Sequence, residues 1–235
     1  MILEICAEDI QSCMHAQKGG ARRIELCSAL DQGGLTPGSG LIQLANQYVT
    51  LPIHVLIRPR GGDFVYDRKE LAIIRREIEN CKAMGCAGVV IGALDEDGDI
   101  DGRLIAQWAQ VAYPMEVTFH RAFDLTSDPM ESLEILAEAG VDRILTSGCA
   151  PTCVEGLDML AKLVEAAPEG LEIQAGSGVS PDNIAQLHAA GVRNFHMSAR
   201  EWVRSNVSSE LFAMDYQRSS LEEIKRAVQV IKDLY

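Results

Sequence analysis

Short apolar runs alternate along this chain with longer segments of helical spacing. Runs at 2–6, 22–27, 53–58, 87–92, 115–120, 142–147, 171–175 and 194–198 read as eight strands. Between them, "DRKELAIIRREIENCKAMG" places Leu71, Ile74, Ile78 and Cys81 on one face. Asp67 with Glu70, and Ser220 with Glu223, have the spacing of capping boxes. Pro37, Pro129 and Pro181 sit near first helical turns, where a missing N–H costs nothing.

Two kinds of connection alternate. In "KGGARRIELC", "AMGCAGVVIG", "EAGVDRILTSG" and "AAGVRNFHMSA" a helical stretch ends at a glycine (Gly20, Gly85, Gly140, Gly191) that suits a left-handed cap. In the others a proline (Pro52, Pro114, Pro168) precedes the strand. Eight strands alternating with helices at this length predict a single (β/α)8 TIM-type barrel spanning residues 1–235. An open doubly wound sheet has no reason to show such alternation.

In a barrel, one strand face packs on helices and the other points into the lumen. With Leu3, Ile5, Ile24 and Leu26 facing the helices, Glu4, Cys6, Glu25 and Cys27 face inward. The same parity turns inward His54 and Arg58, then Glu116, Thr118 and His120, and finally Gln174, His196 and Ser198. A purely structural lumen is built from Val, Ile and Leu. Burying ionisable groups unpaired costs several kcal/mol each, so this polar set predicts a site at the carboxyl ends of the strands. The alternative is an ion-pair network, such as Glu4–Arg58–Glu25, that only fixes strand register.

Net charge is −13, which argues against nucleic acid and anionic membrane as partners. No apolar run approaches the roughly 20 residues of a membrane span. A strand-like run begins at Ile2 without a basic segment before it, so the chain reads as cytoplasmic. The seven cysteines are odd in number and include no CxxC pair, which predicts free thiols rather than a zinc ribbon or redox pair. Cys13 and Cys81 fall on apolar helix faces, whereas Cys149 and Cys153 read as more exposed.

Several motifs carry candidate chemistry. "RPRGGDF" makes Arg58 and Arg60 a clamp for carboxylate or phosphate, or else a tight turn whose arginine pairs with an inner glutamate. "HRAFD" offers His120 as acid, base or ligand, with Asp124 orienting it or capping the next turn. Gly176, Ser177 and Gly178 after the seventh strand, with Ser198 and Arg200 after the eighth, suit an anion held by backbone N–H groups, and "TSG" at 146–148 could add donors. Cys6 and Cys27, at matched depth on adjacent strands, suit Cu(I), although neighbouring glutamates disfavour the thiolates.

"LEIC", "RIELCSAL", "GGLTPG", "IRPRGGDF", "GALDEDGDID", "VTFHRAFD", "DRILTSGC" and "FHMSAR" together resemble the CutC family of copper homeostasis proteins, in register from residue 1 to about 200. The resemblance implies a TIM-type barrel, a cytoplasmic location, homo-oligomers (dimer or tetramer) and Cu(I) ligation by Cys6 and Cys27. Ser177 stands where relatives frequently carry glycine. Two functions follow as expectations. One is Cu(I) handling through Cys6 and Cys27. The other is an enzyme acting on a small anionic or phosphorylated metabolite. In it Arg58, Arg60 and the 176–178 and 198–200 segments hold the anion, while Glu4 or Glu25 and His120 exchange protons. A pure interaction scaffold is a third class. Residues 201–219 read as a long polar connection, suited to a lid or a subunit contact.

Overall fold

Because β-branched and apolar residues dominate the short runs, each buries most of its length and pairs with its sequence neighbours. The computed structural model describes residues 1–205, 207, 211 and 215–235. In it β1 (Ile2–Ala7), β2 (Arg23–Leu26), β3 (Ile53–Leu56), β4 (Gly88–Ile91), β5 (Glu116–Phe119), β6 (Arg143–Thr146), β7 (Glu172–Ala175) and β8 (Asn194–Met197) form a closed barrel in chain order. Closure pairs β8 in parallel with β1 and sets Glu4 opposite His196. The predicted strands are all present, with ends within two residues of those expected.

Helices α1 (Ile10–Gly19), α2 (Ser39–Tyr48), α3 (Arg68–Ala83), α4 (Gly102–Ala112), α5 (Pro129–Glu138), α6 (Leu157–Ala166), α7 (Ile184–Ala189) and α8 (Leu221–Asp233) cover the barrel. The capping box of α3 is formed, with Asp67 accepting from Lys69 and Glu70 and Glu70 accepting from the Asp67 N–H. Ser220 precedes α8 but its side chain makes no cap hydrogen bond, so the second expected box is absent. Gly20, Gly85, Gly140 and Gly191 have φ of 93°, 75°, 79° and 96°, the left-handed caps that the repeated connection called for.

Residues 201–219 are not one long loop. Arg200–Val203 (β9) and Tyr216–Ser219 (β10) pair antiparallel as a hairpin beside the barrel mouth. The part of the expected lid at 206, 208–210 and 212–214 lies outside the described residues. Among the described residues no helix is long and apolar enough to cross a membrane.

The outward strand faces, including Leu3, Ile5, Ile24, Val55, Val117, Phe119, Ile144 and Phe195, join the helices in one continuous apolar cluster. A separate small cluster inside the lumen contains Cys6, Cys27, Leu56 and Val90. Strand β4 leaves room beside it. A Cβ at Gly88 would lie 2.5 Å from the His54 ring, and one at Gly92 would lie 2.3 Å from the His120 ring. Two glycines thus make space for two imidazoles reaching in from neighbouring strands.

Adding a methyl at Gly88 should therefore cost about 1–3 kcal/mol through overpacking. Gly40→Ala has nothing within 4 Å of the new atom and should gain up to about 1 kcal/mol from helix propensity. Urea unfolding of the two variants should give opposite signs.

Candidate functional site

The lumen is organised around Glu4, whose side chain is 1% exposed. One carboxylate oxygen pairs with Arg23 Nε; the other accepts from Gln174 Nε2 at 2.8 Å and lies 2.7 Å from His196 Nδ1. Burial alone would raise the Glu4 pKa, but Arg23 and His196 hold it well below the usual range. Burial likewise opposes a charge on His196, yet Glu25 and Glu4 raise its pKa above the ordinary value. The network expected to include Arg58 runs through Arg23 instead, because β1 and β2 pair with Glu4 opposite Arg23. Of the groups expected to exchange protons, Glu4 is already committed to three partners.

A second polar layer contains Arg143, with Nη2 2.7 Å from Glu172 and 3.1 Å from Glu116, and Nη1 donating to Thr118 at 3.1 Å. Glu116 is half exposed. His54 is buried beside this layer, and burial, reinforced by Arg23 and Arg143, pushes its pKa down to about 4 against the pull of Glu4. Arg23 and Arg143 were legible in principle, since the parity that turned Glu25 inward also turns Arg23 inward, and an outward Ile144 turns Arg143 inward on β6.

Cys6 and Cys27 are neighbours as expected, with sulfurs 3.5 Å apart. The Cys6 thiol also lies 3.4 Å from Glu25 Oε1. Its hydrogen bond with Cys27, then burial and nearby negative charge, push its pKa well up. Burial also raises the Glu25 pKa, and Glu4 adds to this. Among the described residues, Cys6, Glu25 and His196 form a group whose ligand atoms all lie within 4.8 Å of one another. Glu4 engages Nδ1 of His196, which leaves Nε2 as the nitrogen able to bind a further group. The donor set fits a soft cation in its sulfurs and imidazole. With metal–thiolate bonds of about 2.3 Å, a linear two-sulfur site needs the sulfurs to separate by about 1 Å from their present 3.5 Å.

Cys6, Glu25 and His196 open onto a cavity of about 450 Å³ at the carboxyl ends of the strands, whose lining also includes Arg58, Phe64 and His120. Ser177, Gly178, Ser198 and Arg200 contribute from the last two loops. Cys27 is fully buried behind this lining. Gly176 lies against Leu145, 2.6 Å from where its Cβ would be, rather than on the surface of the cavity. Arg60 also stands outside it. Its guanidinium is taken by Glu70 at 2.6 Å, Asp63 at 3.0 Å and the Val65 carbonyl at 2.6 Å, because the turn after β3 closes on itself.

Asp124 does not orient His120. It accepts from the N–H groups of Ser147 at 3.0 Å and Cys149 at 3.1 Å, from the hydroxyls of Thr146 and Ser147, and from Arg121 Nε at 2.8 Å. The "TSG" donors expected for a ligand are therefore spent on an internal carboxylate, apart from the Gly148 N–H, which donates to Thr146. Cys153, expected nearer the surface, is fully buried, while Cys149 is half-buried. His120 Nδ1 accepts from the Ala122 N–H at 3.1 Å. Burial and then the Arg58 charge press its pKa down to about 3. The ring is neutral, its proton is on Nε2, and that N–H has no partner among the described residues.

The barrel resembles known proteins in both sequence and structure. The CutC family profile matches residues 1–201. The human "Copper homeostasis protein cutC homolog" is 43% identical over 200 residues, covering 85% of this chain and 73% of that protein. A CutC protein of Chromobacterium violaceum is 46% identical over 221 residues, covering 94% and 87%. The crystal structure of CutC from Streptococcus agalactiae superposes with a TM-score of 0.80 at 34% identity, covering 84% of this chain and 99% of that one. A thiamine phosphate pyrophosphorylase from Pyrococcus furiosus, at TM-score 0.62 and 16% identity over 99% and 96% of the chains, shares the fold alone.

The His120 environment has a pH signature. Its folded pKa of about 3 lies below the ordinary 6.5, so unfolding takes up a proton below pH 6.5. The stability held by the neutral ring is present above that pH and is lost as pH falls toward 3. His120→Phe should reduce the slope of unfolding free energy against pH in this window by about 1.4 kcal/mol per unit. Urea melts across the window test the slope.

Proposed function

Because the chain belongs to the CutC family, we propose that it is a copper homeostasis protein that takes Cu(I) as cargo at Cys6 and Cys27. The supporting observation is the pair of thiols 3.5 Å apart, with Glu25 and His196 donors within 4.8 Å of Cys6. Thiolate sulfur is the preferred donor for Cu(I), which accepts low coordination numbers. Cys6, Glu25 and His196 face the cavity, which supplies an entry path, and Cys27 completes the sulfur pair from the fully buried side.

The chain's own residues set the conditions. Both thiols must give up their protons to bind the ion, and the Cys6 pKa is raised by Cys27, burial and Glu25. Binding therefore releases protons, and affinity should climb with pH. Glu4 holds His196 by Nδ1 and directs Nε2 outward, the arrangement in which a carboxylate orients a metal-binding imidazole. The human relative's name, a copper homeostasis protein homolog, supports this reading.

Anaerobic titration with Cu(I) against a chromogenic chelator tests it. The wild type should bind one ion, and Cys6→Ser/Cys27→Ser should abolish binding while the far-ultraviolet spectrum stays native. His196→Gln should weaken binding by about 10- to 100-fold. Equal affinity in the double variant and the wild type would overturn the assignment.

A further inference from the structure

The cavity holds a cation for which the described residues supply no counter-ion. Arg58 is 5% exposed, yet its guanidinium meets only neutral groups: Nη1 donates to the carbonyls of Gln32 at 2.9 Å and Gly34 at 3.1 Å, Nη2 to that of Gly62 at 2.7 Å, and the Tyr66 hydroxyl lies beside it. Its Nε has no partner, and among the described residues no carboxylate pairs with it. Every other buried arginine differs. Arg23 has Glu4, and Arg143 has Glu116 and Glu172. Burying a charge without its opposite is costly, and the expense is borne at the wall of a cavity rather than in a packed core.

A second unpartnered donor stands beside it. The Phe64 ring lies 4.9 Å from the Arg58 guanidinium carbon and 4.7 Å from the centre of the His120 ring, so the three side chains form one wall. His120 is 4% exposed and its Nε2–H is unsatisfied, a fixed donor because Nδ1 is occupied by the Ala122 N–H. A neutral imidazole held as a donor and a guanidinium with a free N–H both call for an oxygen acceptor, and the guanidinium calls for a negative one. Arg200 lines the same cavity and makes no ion pair among the described residues. The protein carries a net charge of −13, so arginines gathered at one concavity form a local reversal of its field.

We infer that the wall formed by Arg58, Phe64 and His120 binds the oxyanion group of a small organic anion. Arg58 Nε–H and His120 Nε2–H donate to its oxygens, and the unpartnered Oε2 of Glu25 faces any hydroxyl or amino group the ligand carries. A cavity of about 450 Å³ fits a metabolite-sized molecule. No lysine lines it, so recognition falls to planar donors, which match carboxylate and phosphate oxygens geometrically. This site is separate in its chemistry from the sulfur pair and does not depend on the copper assignment.

Malonate and inorganic phosphate are the probes, added at millimolar concentration to the intact protein with all cysteines reduced and no copper present. Binding is read by calorimetry and by the ¹⁵N and ¹H shifts of the histidine side chains. Supporting results are saturable binding of either probe with displacement of the His120 Nε2 resonance, and at least tenfold weaker binding in His120→Phe. Malonate alone would identify a carboxylate ligand, phosphate alone a phosphate ester. His120→Phe keeps the ring against Phe64, and a native melting profile establishes that it folds. Arg58→Lys retains the charge but loses Nε–H and should weaken binding as well. Failure of both probes to bind, or unchanged affinity in folded His120→Phe, would overturn the inference.

Discussion

A buried carboxylate in the lumen governs the rest of this structure. Glu4 cannot be ionised at 1% exposure unless its oxygens are met from several sides. Arg23 comes from β2, Gln174 from β7 and His196 from β8, so the charge draws three strands onto β1 at the seam where the barrel closes. Removing one partner of such a pair leaves the other charge stranded at about 3–5 kcal/mol. The same contact fixes which nitrogen of His196 faces the cavity. One electrostatic requirement therefore sets both the closure of the fold and the orientation of a candidate ligand.

The loops above the strands use the same device in two versions. Asp124 gathers backbone N–H groups and hydroxyls of the segment after β6, and its own charge is met by Arg121. Arg58 gathers carbonyls from the segments after β2 and β3, but no carboxylate answers it among the described residues. The first arrangement is complete as it stands. The second has tied down its backbone and left one buried N–H without an acceptor and a positive charge without a counter-ion among the described residues. That contrast separates a completed anchor from an arginine with donor capacity to spare, although both looked alike as charged residues in the sequence.

Much of the fold was legible because burial has a period. Alternation along each strand identified Glu4, Cys6, Glu25, His120 and His196 as inward-facing, and the glycine caps marked where helices stop. The pairing inside the lumen was harder. Strand parity says which face a residue occupies, but register decides its partner, and register set Glu4 opposite Arg23 rather than near Arg58. Gly88 and Gly92 were invisible as features of the site because their role is the volume they leave to His54 and His120. From their neighbours in the chain, Arg60 was read as ligand-facing and Asp124 as orienting His120 or capping the next turn. Local turn geometry engages both internally, and nothing in a linear pattern distinguishes a spent donor from a free one.

The sulfur pair and the oxyanion wall share one cavity, and their charges bear on each other. Bound at the proposed sulfur pair, Cu(I) would bring one positive charge and displace the protons the thiols carry, so the change in the cavity's charge is set by how many leave. An anion beside Arg58 and His120 would feel that change across a poorly screened interior, where Coulomb forces act with little attenuation. Linkage makes the effect mutual: whatever copper takes from anion affinity, the anion takes from copper affinity. Proton balance decides the sign of this coupling. With thiols already ionised, the incoming cation would favour the anion instead. The raised pKa of Cys6 supplies one such proton. Loss of that proton offsets the charge of the cation, so the number of protons released on copper binding sets the relation between the two proposed occupants.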